Sequence, residues 1–264
     1  MREIDFYLVD AFSDKTFGGN AAAVCPLEEW LPDETLLKMA QQHNQSETAF
    51  FVRTDSGFEL RWFTTLHEIN LCGHATLAAS HVIFEYLDYP HTEIRFSTRF
   101  VGELTVKRSG DWLTLNFPAW STEAVDNPPA ALFSALGIPA AKEVRVGRDY
   151  MVVLESQQQV EALTPDIGAM VPLDKMVCVT APGEGEYDFV SRFFCPGEGV
   201  PEDPVTGSTH SMLIPYWSER LGKTSLNARQ VSYRGGDLRC ELKGDRVLIG
   251  GQATLYLKGR IFLR

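Results

Sequence analysis

The feature that most constrains the fold of this chain is a segment that occurs twice, 134 residues apart. Over positions 68–117, nine residues are identical to the residue 134 places later, where ordinary composition gives about three by chance. Four of the nine are turn-forming residues at conserved spacing: Gly73/Gly207, Gly102/Gly236, Gly110/Gly244 and Asp111/Asp245. The sequence therefore predicts two copies of one supersecondary unit.

Each copy predicts the order strand, loop, helix and hairpin. The segments RWF (61–63) and RFF (192–194) end β-rich stretches, and 73–87 and 207–221 each predict a helix. Alternating apolar and polar residues around two Gly-Asp pairs then predict hairpins. The Pro-rich segment 117–130 predicts a link, so we expect an α+β fold with halves at 1–117 and 118–264. Residues 253–264 are a candidate strand for completing the first half.

Composition and charge exclude several classes of protein. With 24 Lys and Arg against 35 Asp and Glu, the net charge of −11 disfavours nucleic acid as a partner. No apolar run approaches the ~20 residues that cross a bilayer, and the N-terminus lacks a signal-peptide pattern, so no membrane is expected. Five cysteines without a C-x-x-C pair predict reduced thiols in the cytoplasm rather than disulfides or a zinc site.

The two glycines that open the repeated helices predict an anion site. A helix start offers unpaired N–H groups and the positive end of the helix dipole, which together bind a carboxylate or phosphate. We expect Gly73 and Gly207 to supply such groups. Because duplicated halves tend to pack about a pseudo-two-fold axis, the hypothesis is that both helix starts face one cleft.

The stretch PEDPVTGSTH (201–210) places an acid, a hydroxyl and an imidazole within eight residues: Asp203, Ser208 and His210. A hydrolase triad is disfavoured, because Ser208 and His210 project to nearly opposite sides of a helix start and no G-x-S-x-G elbow is present. A phosphate loop is disfavoured because no lysine follows Gly207. The remaining interpretation is that Asp203 and Ser208 surround an anionic substrate.

Each of these residues also has an ordinary interpretation. Asp203 before a proline is a common turn residue, Ser208 is a common helix-start residue, and His74 is compatible with a packing role. His74 and Ser208, however, occupy equivalent positions in the repeat, each directly after a glycine. That equivalence favours the functional interpretation.

Four motifs along the chain resemble the phenazine-biosynthesis PhzF-like family, which is related to diaminopimelate epimerase and proline racemase. They are DAFSDKTFGGNAAAVC (10–25), NQSETAFF (44–51), LCGHATLA (71–78) and EDPVTGS (202–208), and GGQATLYLKG (250–259) resembles the closing strand. The resemblance spans nearly the whole chain. It implies two similar halves, each a β-barrel-like sheet wrapped around a central helix.

The resemblance also implies a cofactor-independent isomerase that needs no metal and acts on a small carboxylate-bearing substrate. Glu47 would carry the proton as general acid and base, and burial of its carboxyl would suit it to both tasks. The residues implied to orient the substrate or relay protons are His74, Asp203 and Ser208. The residues implied to bind the substrate are Asn20, Cys72, Gly73 and Gly207. A homodimer is expected because relatives often pair.

Two alternatives stay open on the sequence. In the racemase relatives one cysteine from each half forms a two-base pair, and Cys72 occupies the first position. Its repeat partner is Thr206, which disfavours that mechanism and leaves packing as the default role of Cys72. A binding protein without chemistry is the second alternative.

The chain departs from the family pattern at Ala21, Thr65, His210 and Pro215, the last of which is expected to disturb the second helix. None of these departures touches Glu47, His74 or Asp203. They leave the identity of the substrate open.

Overall fold

The computed structural model describes all 264 residues, which form two units. Unit 1 comprises Met1–Phe117 with Ile249–Arg264, and unit 2 comprises Pro118–Leu248. Unit 2 thus ends at Leu248 rather than at residue 264. The physical reason is that the last strand, β18 (Ala253–Leu263), pairs antiparallel with the first, β1 (Arg2–Ala11).

Unit 1 is built mainly from short strands around two helices. Its strands after β1 are β2 (Asn20–Leu27), β3 (Thr48–Thr54), β4 (Gly57–Phe63), β5 (Glu68–Ile69), β6 (Glu93–Thr98), β7 (Gly102–Ser109) and β8 (Trp112–Pro118). Its helices are α1 (Asp33–His43) and α2 (Gly73–Tyr86). A strand β17 (Arg246–Gly251) runs across the boundary between the units in the chain.

Helix α2 is the centre of unit 1. Eleven of its fourteen residues are buried, and they lie on all sides of the helix rather than on one stripe. The segment GHATLAASHVIF is apolar or small almost throughout, which suits a helix surrounded by sheet. It packs against β1, β2, β3 and β18. Strands β2 and β3 pair in parallel and are buried along most of their length, as expected of a parallel pair covered on both faces.

Unit 2 contains eight strands and four helices. The strands are β9 (Glu123–Ala124), β10 (Glu143–Val146), β11 (Tyr150–Val153), β12 (Val177–Pro182), β13 (Phe189–Cys195), β14 (Val200–Asp203), β15 (Ser225–Gln230) and β16 (Gly236–Lys243). The helices are α3 (Ala130–Leu136), α4 (Gln157–Glu161), α5 (Ile167–Met170) and α6 (His210–Leu221). A short 3-10 segment, Pro196–Glu198, joins β13 to β14.

The predicted repeat is present in the strand pairing of both units. In unit 1 the order is β1–β2 antiparallel, β2–β3 parallel, β3–β4 and β4–β5 antiparallel, then α2, and β6 parallel to β4. In unit 2, β10 to β15 with α6 repeat that order. The fold is therefore α+β, and each unit wraps its sheet around one central helix, as in diaminopimelate epimerase-like proteins.

The predicted hairpins and their Gly-Asp turns are also present. Strands β7 and β8 pair with Ser109 opposite Trp112, so the turn consists of Gly110 and Asp111 alone. Gly110 has φ +59° and Gly244, at the equivalent turn, has φ +64°. A two-residue turn needs this left-handed backbone, which glycine adopts without steric cost, and this explains why these positions repeat.

The second predicted helix begins three residues late. Residues 207–209 form a tight turn in which the N–H groups of His210, Ser211 and Met212 each donate to a carbonyl three residues earlier. This 3-10-type winding precedes α6, so Gly207 is not its first residue. The expected disturbance at Pro215 is local. Helix α6 continues through Pro215, and the Ser211 carbonyl, which loses its usual partner four residues on, accepts a bond from Trp120 N at 2.8 Å.

None of the helices is both long and apolar enough to span a membrane.

Candidate active site

Three predicted site residues meet because two parallel strands and a helix begin at the same edge of unit 1. Asn20 is the first residue of β2, and Glu47 directly precedes β3. The backbone of Ala23 on β2 donates to the Glu47 carbonyl at 3.3 Å, which ties these strand starts together. Helix α2 packs on both strands and begins at Gly73, so His74 lies in its first turn.

The imidazole of His74 joins these residues. Its Nδ1 lies 3.1 Å from Nδ2 of Asn20 and 3.4 Å from Sγ of Cys72, and its Nε2 lies 3.2 Å from Oε2 of Glu47. His74 is 3% exposed, Cys72 5% and the Glu47 side chain 16%, so the group is buried, including Oε2 of Glu47, and only the Glu47 side chain keeps partial exposure. The Glu47 contact is within hydrogen-bond reach without being well aligned.

Burial decides the charge of His74. Its complete desolvation lowers its pKa to about 3, so the ring is neutral at physiological pH. The amide nitrogen of Asn20 can only donate, so Nδ1 accepts and the single ring proton is carried by Nε2. His74 therefore presents a neutral N–H to the Glu47 carboxylate.

The donor atoms of Glu47, Cys72 and His74 lie within 4.8 Å of one another, and these residue types are common zinc ligands. A metal site needs its donors to converge on one point. Here the thiol contacts Nδ1 and the carboxylate contacts Nε2, so the two groups do not share one ring nitrogen. The arrangement fits a hydrogen-bonded chain better than a coordination shell, and the absence of a metal requirement stays a prediction.

The environment of Cys72 does not resemble that of an activated thiol. Reactive cysteines are usually stabilised as thiolates by a nearby positive charge. The imidazole next to Cys72 is held neutral by burial, so it supplies no such charge. The single lone pair of Nδ1 accepts from the nearer Asn20 amide, so the thiol, 3.4 Å away, packs against the imidazole.

Unit 2 holds a second buried polar group around Asp203, which ends β14 and is 8% exposed. Its Oδ2 accepts from the Thr206 hydroxyl at 2.5 Å. Gln230, the last residue of β15, donates to the Asp203 carbonyl at 2.7 Å and accepts from Thr206 N at 2.8 Å. The loop before α6 is therefore held in one conformation from both ends.

The remaining candidate residues of unit 2 lie in that same turn. Gly207 and Ser208 follow Thr206, and Ser208 is 8% exposed. His210 is fully buried, its Nδ1 donates to the Thr206 carbonyl at 2.8 Å, and burial lowers its pKa to about 4. His210, which departs from the family pattern, thus supports the turn from inside the unit.

Gln230 was missed on the sequence, although a signal was available. Strand β15 alternates, and the two residues that share the buried face with Gln230 are Leu226 and Ala228. A polar residue at an inward position of such a pattern must have buried hydrogen-bond partners. That requirement identifies it as a residue that supports a loop.

The buried histidines predict a steep loss of stability in acid. His74 and His210 have depressed pKa values in the folded state, so between about pH 4 and 6.5 the unfolded chain binds more protons and stability falls as pH falls. Two imidazoles contribute up to about 3 kcal/mol per pH unit to the free energy of unfolding. Urea denaturation from pH 4.5 to 7 measures this slope.

The slope is proportional to the number of protons taken up on unfolding. The variants His74→Gln and His210→Asn are each expected to lower that number by about one. His91→Gln, which removes an exposed imidazole, is the control. An identical slope in the wild type and both buried-site variants would contradict the prediction.

Comparisons with known proteins place the whole chain in one group. A family model described as "Phenazine biosynthesis-like protein" matches residues 9–259. An uncharacterized isomerase of Pseudomonas aeruginosa is 48% identical over 262 residues, covering 99% of this chain and 100% of that protein.

Solved structures agree with this match. A PhzF-family crystal structure from Enterococcus faecalis has a TM-score of 0.94 at 44% identity, covering 99% of this chain and 100% of that one. A hydroxyproline epimerase from Agrobacterium vitis, at 12% identity and TM-score 0.59, covers 98% of this chain and 92% of that one and shares the fold alone.

Proposed function

The chain belongs to the phenazine biosynthesis-like family and is an isomerase, and we propose that it moves a proton between two carbons of a small carboxylate-bearing metabolite, with Glu47 as general acid and base. The observation that carries this proposal is the buried chain Asn20–His74–Glu47 in unit 1. It presents one carboxylate, oriented by a neutral imidazole, at the start of a strand.

The chemistry asks for such a carboxylate. A proton shift needs a base that removes a proton from one carbon and then returns it, as an acid, to another. An imidazolium beside Glu47 would stabilise its carboxylate and weaken it as a base. The neutral Nε2–H of His74 faces the carboxylate without that charge, so it does not weaken Glu47 as the base that removes the proton.

The start of α2 supports binding of the substrate carboxylate. Cys72 is the N-cap residue, and its side chain makes no capping hydrogen bond. We assign the N–H groups of the first turn, beginning at Gly73, to the substrate carboxylate, with the helix dipole adding to the attraction. In unit 2 the corresponding role falls to the turn at Gly207 and Ser208. That the two helix starts serve one substrate stays a prediction.

Asp203 is proposed as a second acid–base or orienting group. Its Oδ2 accepts a bond from the Thr206 hydroxyl, and Gln230 holds the loop that carries it. This ordered carboxyl group is suited to orienting the substrate or to relaying a proton as a general acid or base.

The proposal is tested by incubating the protein in D₂O with a panel of cyclic and linear amino, hydroxy and unsaturated acids. The expected result is deuterium incorporation into at least one acid and conversion to its isomer. Binding of a panel member without any exchange would instead favour a binding protein. Analytical ultracentrifugation checks the expected homodimer separately.

Replacement of Cys72 separates the shuttle from a two-base mechanism. Because the neutral imidazole beside it supplies no positive charge to activate the thiol, we expect Cys72→Ser to keep turnover within about tenfold. The rate of deuterium incorporation measures this, with Cys25→Ser as a control for loss of a buried thiol. A thousandfold loss in Cys72→Ser alone would favour the two-base mechanism.

A further inference from the structure

A buried arginine in unit 1 forms a bidentate salt bridge with a glutamate. Arg61 on β4 is 7% exposed; its Nε donates to Oε1 of Glu68 and its Nη2 to Oε2, both at 2.7 Å. The guanidinium lies over the rings of Phe63 and Trp30, each with a ring centroid 5.1 Å away. Nη2 also donates to Oδ1 of Asp33 at 2.8 Å. Glu68 belongs to β5, four residues before Cys72.

The same device occurs in unit 2. Arg192 on β13 donates from Nε to Oε1 of Glu202 at 2.7 Å and from Nη2 to Oε2 at 2.9 Å. Its guanidinium lies 5.0 Å over the ring of Phe194, again two residues further along the strand. Its Nη1 donates to the carbonyls of Val160 and Leu163. Glu202 belongs to β14 and directly precedes Asp203.

The strand registers show that the two pairs are equivalent. In unit 1 the residue after Arg61, Trp62, lies opposite the residue after Glu68, Ile69; in unit 2 the residue after Arg192, Phe193, lies opposite the residue after Glu202, Asp203. The residue after the glutamate is Ile69 in unit 1 and Asp203 in unit 2. Glutamate thus occurs at both equivalent positions, 68 and 202, because it makes the same contact with an arginine in each unit. Only in unit 2 is this glutamate followed by an acid.

The strands that contain these glutamates are too short for their own backbone hydrogen bonds to fix their position. Strand β5 has two residues and β14 has four, so few ladder bonds fix either of them. A bidentate arginine–carboxylate pair fixes both distance and orientation. Because side chains alternate along a strand, Glu202 on one face of β14 leaves Asp203 on the other, toward Thr206.

We propose that these Arg–Glu pairs are positioning devices for the loops that carry the candidate catalytic residues, and that the Arg192–Glu202 pair sets the orientation of Asp203. The Arg61–Glu68 pair anchors the segment that leads into Cys72 and His74 in the same way. The inference rests on the proposed function for its catalytic consequence, but its structural part can be measured without substrate.

The test replaces Arg192 with Lys, which keeps the charge but loses the two-point fork. Amide hydrogen exchange of residues 200–209 is expected to rise about tenfold or more, because β14 loses its anchor. With an active substrate, kcat is expected to fall by about 10- to 100-fold while KM changes less than threefold, because misplacement of Asp203 acts on the chemical step. Arg192→Ala is the second variant. Arg192→Lys should restore little of the kcat and of the exchange protection that Arg192→Ala loses.

Arg145→Lys is a matched control in unit 2. Arg145 is half-buried, donates to Glu143 and Thr122 through all three nitrogens and lies over the Tyr216 ring, yet it is not next to a candidate catalytic residue. It should leave exchange at residues 200–209 and kcat within twofold of the wild type.

Unchanged exchange and kcat in Arg192→Lys, or equal changes in both variants, would overturn the inference. If the wild type shows no Glu47-dependent activity, the proposed function fails, and the exchange measurement still decides whether Arg192 positions the loop.

Discussion

Replacement of Glu47 by Gln is expected to reduce the rate of deuterium incorporation by about 10³-fold, within the 10²–10⁴ range typical of a lost general acid–base group. Glutamine has the same shape and keeps an oxygen that can face the His74 Nε2–H, but it cannot take up a proton at the substrate carbon. The effect should fall on kcat, with substrate binding nearly unchanged, because the helix start and Ser208 are intact. Single-turnover exchange in D₂O measures it.

Two observations make this result interpretable. Glu103→Gln neutralises an exposed glutamate of the same unit and should leave the rate unchanged. Thermal unfolding should place Glu47→Gln within a few degrees of the wild type, because its side chain is partly solvated and the replacement is isosteric. If Glu47→Gln keeps more than a tenth of the rate while remaining folded, the assignment of Glu47 as shuttle is wrong.

Replacement of Asn20 by Asp exchanges the side-chain NH2 for an oxygen and leaves the size of the side chain nearly unchanged. It is expected to reduce kcat by about 10²-fold or more. The wild-type amide donates to His74 Nδ1 and so keeps the proton on Nε2. A carboxylate cannot donate, so it would favour a proton on Nδ1 and turn the Nε2 lone pair toward the Glu47 carboxylate. The Glu47 carboxylate would then lose its donor and face a lone pair instead.

The pH–rate profile distinguishes this mechanism from simple disruption. The added negative charge raises the pKa of a neighbouring carboxyl, because it disfavours the charged form. The basic form of Glu47 should then be reached only at higher pH, and the acid limb of the profile should move upward. Asn127→Asp, an exposed change of the same type, is the control. A wild-type profile in Asn20→Asp would mean that Asn20 does not set the tautomer.

Much of the fold was predictable because duplication preserves residues with strict local requirements. The turn glycines Gly110 and Gly244 need a left-handed backbone, so they stay in register while the surrounding sequence diverges. The alternation on either side of them then predicts the hairpins. The start of α6 was predicted three residues early, because Gly207 was assumed to match Gly73 in structure as it does in sequence, whereas a 3-10 turn intervenes.

What the sequence by itself determined is the duplicated α+β architecture, the membership suggested by four motifs, and the candidates Glu47, His74 and Asp203. The architecture follows from short-range patterns, in which each residue type is required by its own backbone, whereas the catalytic role of Glu47 is what the family resemblance implies. Only the tertiary structure decided that His74 is neutral with its proton on Nε2, because that depends on burial and on Asn20, 54 residues away. The tertiary structure likewise paired each arginine with its glutamate across two strands, since hydrogen-bond partners are set by strand register, and register is a property of the folded sheet.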